Sequence, residues 1–268
     1  MKIVLTILLV ILGLFACYVL FIYINSLLID TEKEYTKYSN YHHGLFASGA
    51  FLAVYGARVR LHVSGMEKVP KEGRFLIVGN HRSKYDPILT WWVFRKYHLS
   101  CISKEKNFHI PFYGPIMRRI LFLSIDRSNP RASMKTILQA TKQLTDDQCN
   151  VLVYPEGTRS MDDYQLLPFH DGVFKIAKKA DVPIVVVTTM GTEHIAKNYP
   201  LHSTPVRLDV VEVIPKETVR DCSTHVLSAQ VREIMMQHLD DYPAPDTFPP
   251  ETQEETKHKE AGQEDAAC

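Results

Sequence analysis

The 268-residue chain has no CxxC pair and no cluster of cysteine with histidine; its five cysteines, Cys17, Cys101, Cys149, Cys222 and Cys268, stand far apart. An odd, wide-set group of this kind argues against a disulfide framework and against a zinc site, and it fits a reducing compartment. Cys268 is the last residue, whereas a prenylation box places cysteine four from the end. No GxSxG elbow occurs, and Ser83 and Ser160 lack a local helper, so a serine hydrolase is disfavoured. His42-His43, His194 and His202 have no ligand-like spacing, and neither a metal nor a resident cofactor is expected. Internal repeats are also missing. The charge total, 31 basic against 30 acidic residues, conceals an imbalance: seven acids and two lysines follow Tyr242, leaving a tail of net −5 and a body of net +6. A mildly basic body suits an anionic membrane or substrate, and solubility alone would explain it as well.

Charge is missing from the whole stretch Ile3 to Leu28. As a helix it would extend about 39 Å, enough to cross a hydrocarbon core of ~30 Å with tilt. A secretory signal, or a lipoprotein signal read at Leu14-Phe15-Ala16-Cys17, fits less well. The apolar run continues through Tyr18 without the short hydrophobic region and polar break of such signals, and Phe15 is bulky for a cleavage site. The expectation is a transmembrane or membrane-embedded helix over 3–28. A second apolar stretch, 45–55, is too short to span and lies in the interface or packs on the domain. Arg58, Arg60, Lys68, Lys71 and Arg74 follow it while only Lys2 precedes the first segment, which places the body on the cytoplasmic side. The plan is a membrane-attachment region over 1–56, a globular domain over 57–242 and an acidic disordered tail over 243–268.

Beyond the anchor, short β-rich runs alternate with longer helical patterns, the signature of an α/β domain with a mixed sheet flanked by helices. Arg74 to Val78 reads as a buried strand and Pro87 to Tyr97 as the helix after it. Asn129-Pro130 is a cap with proline at the first helical position, opening a helix with Ile137, Leu138, Thr141 and Leu144 on one face. Strands follow at Val151 to Tyr154, Ile184 to Thr188 and Val206 to Ile214, with a helix from Gly172 to about Lys179 between the first two. Ser223 and Thr224 cap a last amphipathic helix with Val226, Leu227, Val231, Ile234, Met235 and Leu239 inward.

Two polar loops follow buried strands, where open α/β sheets place their sites. The first is Gly79-Asn80-His81-Arg82-Ser83-Lys84-Tyr85-Asp86-Pro87. His81 and Asp86 would point about 140° apart on one helix, so a partnership requires His81 on a loop that folds back. Asp86 as an N-cap before Pro87 would supply that geometry. From spacing alone, Asp86 is an ordinary helix start and His81 a loop histidine. With company, an imidazole steered by a carboxylate is a suitable general base for a hydroxyl. The company is Tyr154-Pro155-Glu156-Gly157-Thr158-Arg159-Ser160. Here Gly157 permits close backbone approach, Thr158 and Ser160 offer hydroxyls, and Arg159 offers a fork suited to phosphate. Glu156 reads as a residue that holds its loop.

Asn80-His81 with Asp86, and Pro155-Glu156-Gly157-Thr158-Arg159, resemble the HxxxxD and EGTR boxes of the glycerolipid acyltransferases. Lys104-Glu105, Pro111-Phe112-Tyr113-Gly114 and Asp126-Arg127 stand between them in that family's order, so the resemblance covers about 65–215. Phe169-His170-Asp171-Gly172 departs from the usual Phe-Lys-Lys-Gly, and Val182 to Val187 lacks a second proline. The resemblance implies the family's fold and a lysophosphatidate acyltransferase activity, forming phosphatidate from 1-acyl-sn-glycerol-3-phosphate by direct transfer. The donor would be acyl-CoA or acyl carrier protein. His81 would be the base and Asp86 its orienter. Lys104, Arg127, Glu156, Gly157, Thr158 and Arg159 would form the substrate site, with the Gly157 amide and Lys104 facing the oxyanion. For Lys104 and Arg127 an ordinary ion pair is an equal reading. The partners implied are membrane lipid, a lysophospholipid acceptor and the thioester donor, with no nucleic acid. Other readings stay open: another acceptor, such as a lysophospholipid, a lyso-ornithine lipid or glycerol-3-phosphate; a thioesterase; or an inactive membrane-anchored lipid-binding protein.

Overall fold

The structure, a computed structural model, describes residues 2–160 and 166–241. The expected disordered tail lies outside them. Seven strands among the described residues form one sheet: β1 (Val59–Ser64), β2 (Leu76–Gly79), β3 (Leu99–Lys104), β4 (Leu123–Ile125), β5 (Asn150–Val153), β6 (Ile184–Met190) and β7 (Thr204–Ile214). Their spatial order is β1-β7-β6-β2-β5-β3-β4. Every neighbouring pair is parallel except β6 with β7, so the sheet is mixed, as expected. The helices are α1 (Lys2–Leu27), α2 (Asn40–Gly56), α3 (Asp86–Val93), α4 (Tyr113–Arg119), α5 (Pro130–Thr145), α6 (Lys175–Ala180), α7 (Ile195–Asn198), α8 (Lys216–Asp221) and α9 (Thr224–Asp241).

The interior strands are apolar throughout because both faces are covered, which parallel strands require. Side chains alternate between two cores. Leu76 and Val78 of β2 pack with α5, α6 and α9 through Ile137, Ile176 and Leu227. Phe75 and Ile77 turn the other way, toward Ala50 of α2, Trp91 of α3 and Met117 of α4. Each such side chain, fully buried, contributes about 1.5–3 kcal/mol. Trp91 also donates its Nε1–H to the Leu99 carbonyl at 2.9 Å, tying α3 to β3.

Several expectations need correction. The strand after position 74 begins at Leu76, because Arg74 turns out to Asp147 with Nε 2.7 Å from Oδ1. The helix after it is α3, which stops at Val93, and a 3-10 turn continues to Tyr97. Leu138 and Val226 face solvent at 47% and 50% exposure; the inward faces are carried by Ile137, Ala140 and Leu144, and by Leu227, Val231, Met235 and Leu239. Strands β1, β3 and β4 are not legible in the sequence, since each is short or mixes charge with apolar residues and lies toward the sheet's flanks.

Helix α1 is long and apolar enough to cross a membrane and is almost wholly exposed. Its contacts with the body lie in its second half: Ile22 packs with Leu45 and Ile116, and Tyr18 Oη lies 2.9 Å from Ser48 Oγ and 3.1 Å from Tyr113 Oη. The second apolar stretch forms α2, longer than the segment 45–55. Ser39 caps it through the His42 amide, Leu45, Ala50 and Val54 pack inward, and Phe51, Leu52 and Tyr55 face out.

Candidate active site

Because β2, β3, β4, β5 and β6 run in one direction, the loops leaving them open on a single edge of the sheet. All eight candidate residues leave from four of those strands. Behind β2, Asn80 is clamped to β6 in a buried pair of bonds: its amide nitrogen donates to the Thr189 carbonyl at 3.0 Å, and its oxygen accepts the Thr189 N–H at 2.7 Å. That clamp aims the next residue. His81 N–H donates to Glu156 Oε1 at 2.7 Å and its carbonyl accepts the Ser160 N–H at 2.8 Å, so the two loops are laced together.

Asp86 is not the cap; Tyr85 is, and Asp86 is the first residue of α3. Its carboxylate, 0% exposed, reaches back into the preceding turn. Oδ2 accepts from His81 Nδ1 at 2.9 Å, Arg82 N at 2.6 Å and Ser83 N at 2.7 Å. Oδ1 accepts the Thr192 hydroxyl. Four donors match the capacity of an acceptor-only carboxylate. With Nδ1–H donating, the other ring nitrogen, Nε2, carries the lone pair, and among the described residues it has no partner. The Tyr154 ring stacks on His81, centroids 4.6 Å apart at 28°, which removes the freedom of the imidazole to swing. The Tyr154 phenol, buried, is pushed well above its ordinary range and donates to Thr90 Oγ1 at 3.3 Å.

Thr192 was not foreseen. It follows β6 through Gly191, at φ 86°, where a Cβ would run into the Pro205 carbonyl. The signal available was positional: a Gly-Thr pair leaving a strand that is β-branched from Ile184 to Thr189 and parallel to β2 lands on the same edge.

Glu156 is 3% exposed, and its second oxygen accepts the Leu167 N–H at 3.0 Å. Burial pushes its carboxyl upward, opposed by the amides of His81 and Leu167. Both oxygens are thus engaged by backbone, and the residue holds the two loops instead of offering itself to a ligand. Gly157 turns at φ 71°, and a Cβ there would meet the His170 ring at 2.8 Å. Its N–H donates to the Tyr154 carbonyl at 3.1 Å, so the turn already uses the expected oxyanion donor.

Next to this turn is a cleft of about 610 Å³ lined by Lys104, Lys106, Arg127, Gly157, Thr158 and His170. Glu105, Asp126 and Glu156 share this lining, and each is engaged: Glu105 lies 3.7 Å from Arg118, Glu156 is held by backbone, and Asp126 Oδ1 accepts from Ser128 N and Oγ, which holds that carboxyl below its usual range. Burial, then the charges of Arg127, Lys106 and Arg159, pull the Lys104 ammonium below its ordinary value. Repulsion of this kind marks a place that favours an anion. Arg159 is exposed at the rim and is not among the residues lining the cleft floor. The arrangement can take a proton on a steered imidazole and hold an anion beside it.

A family model described as Acyltransferase matches residues 60–190. The chain is 28% identical over 176 residues to a 1-acyl-sn-glycerol-3-phosphate acyltransferase of Limnanthes douglasii, covering 66% of this chain and 60% of that protein. It is also 28% identical over 170 residues to the Escherichia coli protein of the same description, covering 60% and 67%. The matched part therefore spans about three fifths of the plant relative's length. The crystal structure of the 1-acyl-sn-glycerophosphate (LPA) acyltransferase, PlsC, from Thermotoga maritima superposes with a TM-score of 0.65 at 22% identity, over 87% of this chain and 90% of that one, a likeness of fold. Sequence boxes, family model and relatives agree in likening residues 60–190, just under half of the chain, to the acyltransferases, among them the 1-acyl-sn-glycerol-3-phosphate acyltransferases.

Proposed function

We propose that the chain transfers a fatty acyl group from a thioester, acyl-CoA or acyl carrier protein, to the 2-hydroxyl of 1-acyl-sn-glycerol-3-phosphate, giving phosphatidate. The observation that carries this is His81 Nδ1 held 2.9 Å from the buried Asp86 carboxylate, with the His81 backbone N–H bonded to Glu156, a residue that lines the neighbouring cleft together with Lys104 and Arg127. His81 Nε2 takes the hydroxyl proton as the oxygen attacks the thioester carbonyl, and Asp86 stabilises the imidazolium that forms. The tetrahedral intermediate collapses with loss of the thiolate, which recovers the proton from His81 as the free thiol. No acyl-enzyme is formed. Lys104, Arg127 and Arg159 bind the acceptor phosphate, with Thr158 as a hydroxyl partner, and Lys104 faces the oxyanion. Such a donor supplies about 3–4 kcal/mol in other acyl-transfer sites. Gly157 serves by its turn, which lets ligand approach backbone. Helix α1 attaches the protein to the membrane, and the body, 57–242, works on its cytoplasmic side.

The test is an acceptor panel assayed with both donors on the full chain. Ester formation should be greatest with 1-acyl-sn-glycerol-3-phosphate, and His81→Ala should abolish it while the protein stays in the membrane fraction. Preference for another acceptor would reassign the substrate; free fatty acid as the main product would make the chain a thioesterase; full activity in His81→Ala would sink the mechanism.

A further inference from the structure

A second cleft, also about 610 Å³, opens where α1 leaves the apolar stretch, and it shares no residue with the first. Its walls come from the end of α1 (Asn25), the connecting segment that starts at Leu28 (Leu28, Lys33, Tyr35, Lys37), the first turn of α2 (Tyr41, His42) and Arg119 at the end of α4. Three cations line it against one carboxylate, Glu34, which accepts from Gln139 Nε2 at 2.5 Å.

Arg119 and Lys33 both stand over the Tyr35 ring, with Cζ 4.2 Å and Nζ 5.7 Å from its centroid. Among the described residues, neither of them nor Lys37 has a carboxylate within ion-pair distance. Two like charges gathered on one ring repel each other, and an anion between them removes that cost. The cleft adds further attraction for an anion. Its wall includes the first turn of the 17-residue α2, whose amide end carries partial positive charge. Burial, then the Arg119 guanidinium, holds His42 below its ordinary range, and its Nδ1 lies 2.8 Å from Ser39 Oγ, so the ring can offer the cleft no more than one N–H. Tyr41 Oη donates to Asn25 Oδ1 at 2.6 Å and fixes the junction of the two helices.

The surroundings identify the kind of anion. Leu28, 80% exposed, lines the cleft directly after α1, whose last turn carries the exposed Ile24 and Leu27 at 47% and 65%; Tyr41 also lines it, and Tyr23 is exposed one turn earlier on α1. Apolar residues below, aromatic residues at the boundary and cations above are the order in which a bilayer presents acyl chains, carbonyls and phosphates. We infer that this cleft binds the phosphate of an anionic diacyl phospholipid whose chains lie along α1, at a site separate from the cationic cleft on the sheet edge. Phosphate is the shared chemistry, so a free phosphate ion is the competing source. The occupant assigned here is the lipid, because the apolar Leu28 lines the cleft and directly follows the helix that enters the membrane. Seating such a lipid would pin the junction between α1 and α2.

The experiment uses the full chain in detergent micelles, titrated calorimetrically with short-chain phosphatidylglycerol, phosphatidylcholine and inorganic phosphate. Phosphatidylglycerol should bind at least tenfold tighter than either of the others. A cation near a lipid surface is worth about 1 kcal/mol, or roughly fivefold in affinity. Lys33→Gln with Lys37→Gln should therefore weaken binding roughly 25-fold, and adding Arg119→Gln should abolish it. Both lysines are exposed, so the double variant tests the site even if the Arg119 variant fails to fold. Arg159→Gln should leave phosphatidylglycerol binding unchanged. Loss of binding in Arg159→Gln would place the lipid in the catalytic cleft and overturn the inference. Equal binding of inorganic phosphate, or an unaltered double variant, would overturn it as well.

Discussion

Asp86→Asn isolates the negative charge at His81, the base of the proposed mechanism, while leaving its geometry in place. With the new side chain's carbonyl oxygen at the Oδ2 position, it still accepts from His81 Nδ1, Arg82 N and Ser83 N, the three donors now at 2.6–2.9 Å. Its amide nitrogen then faces Thr192, whose hydroxyl can rotate from donor to acceptor. The tautomer of His81 is kept. What disappears is a full charge beside a ring that becomes cationic in the transition state. Unit charges about 4 Å apart interact by about 4 kcal/mol at an effective dielectric of 20, and each ~1.36 kcal/mol is tenfold in rate. The amide dipole recovers part of this, so kcat should fall about 10²- to 10³-fold with KM within about threefold. Asp86→Ala would be a poorer probe: it strands those three N–H donors in a site of 0% exposure at about 1–3 kcal/mol each, a large share of a typical stability of about 5–15 kcal/mol. The assay is thiol release coupled to quantification of the ester product, with thermal denaturation alongside. A kcat within threefold of the parent, at an unaltered melting temperature, would refute the charge argument. A raised KM with unchanged kcat would make Asp86 a binding residue.

Thr192→Val removes the hydroxyl from Asp86 Oδ1 at nearly constant volume. A hydrogen bond to a charged group is worth about 1.5–3 kcal/mol, so kcat should fall about tenfold or more at unchanged KM; Thr192→Ser should restore it, and equal activity of the two variants would remove Thr192 from the site. Asp209 governs stability rather than chemistry. Burial raises its carboxyl, but bonds from His238, Ser64 and Arg207 outweigh that and hold it below its ordinary range. A group lowered on folding contributes stability that is present above its unfolded value, about 3.9, and is lost as pH falls through the folded value. Asp209→Asn should therefore cost ~3 kcal/mol at pH 7 in chemical denaturation, because the Arg207 partner is left buried, and the difference should shrink toward pH 3. An equal difference at both pH values would show that the charge is not responsible.

Much of the site was readable because it is local. His81 and Asp86 stand five residues apart at a helix start, and Gly157 and Arg159 stand in one turn; spacing alone left the first pair ordinary, and the two loops taken together pointed to the pairing that the structure forms. The interior strands were readable for a related reason: Ile184 to Val187 is continuously apolar, as a strand covered on both faces must be. The outer strands were not, since Arg60 and His62 in β1 and Ser100 and Ser103 in β3 interrupt any pattern that a window could detect. Helix faces were read correctly except at Leu138 and Val226, where one step of about 100° separates an inward from an outward position.

The order of residues along the chain was enough to anticipate an apolar helix ahead of a mixed α/β body, and a pairing of His81 with Asp86 near the turn of Gly157. It could not show that Thr192, more than a hundred residues away, completes the shell of Asp86, that Glu156 gives both oxygens to backbone, or that the Gly157 amide is already engaged by Tyr154. The Gly157 bond is a matter of local turn geometry, while the Thr192 and His81–Glu156 contacts depend on which strands lie side by side. Pairing in a parallel sheet is decided by the packing of the whole core, so residues distant in sequence meet at one edge only once β6, β2 and β5 have aligned.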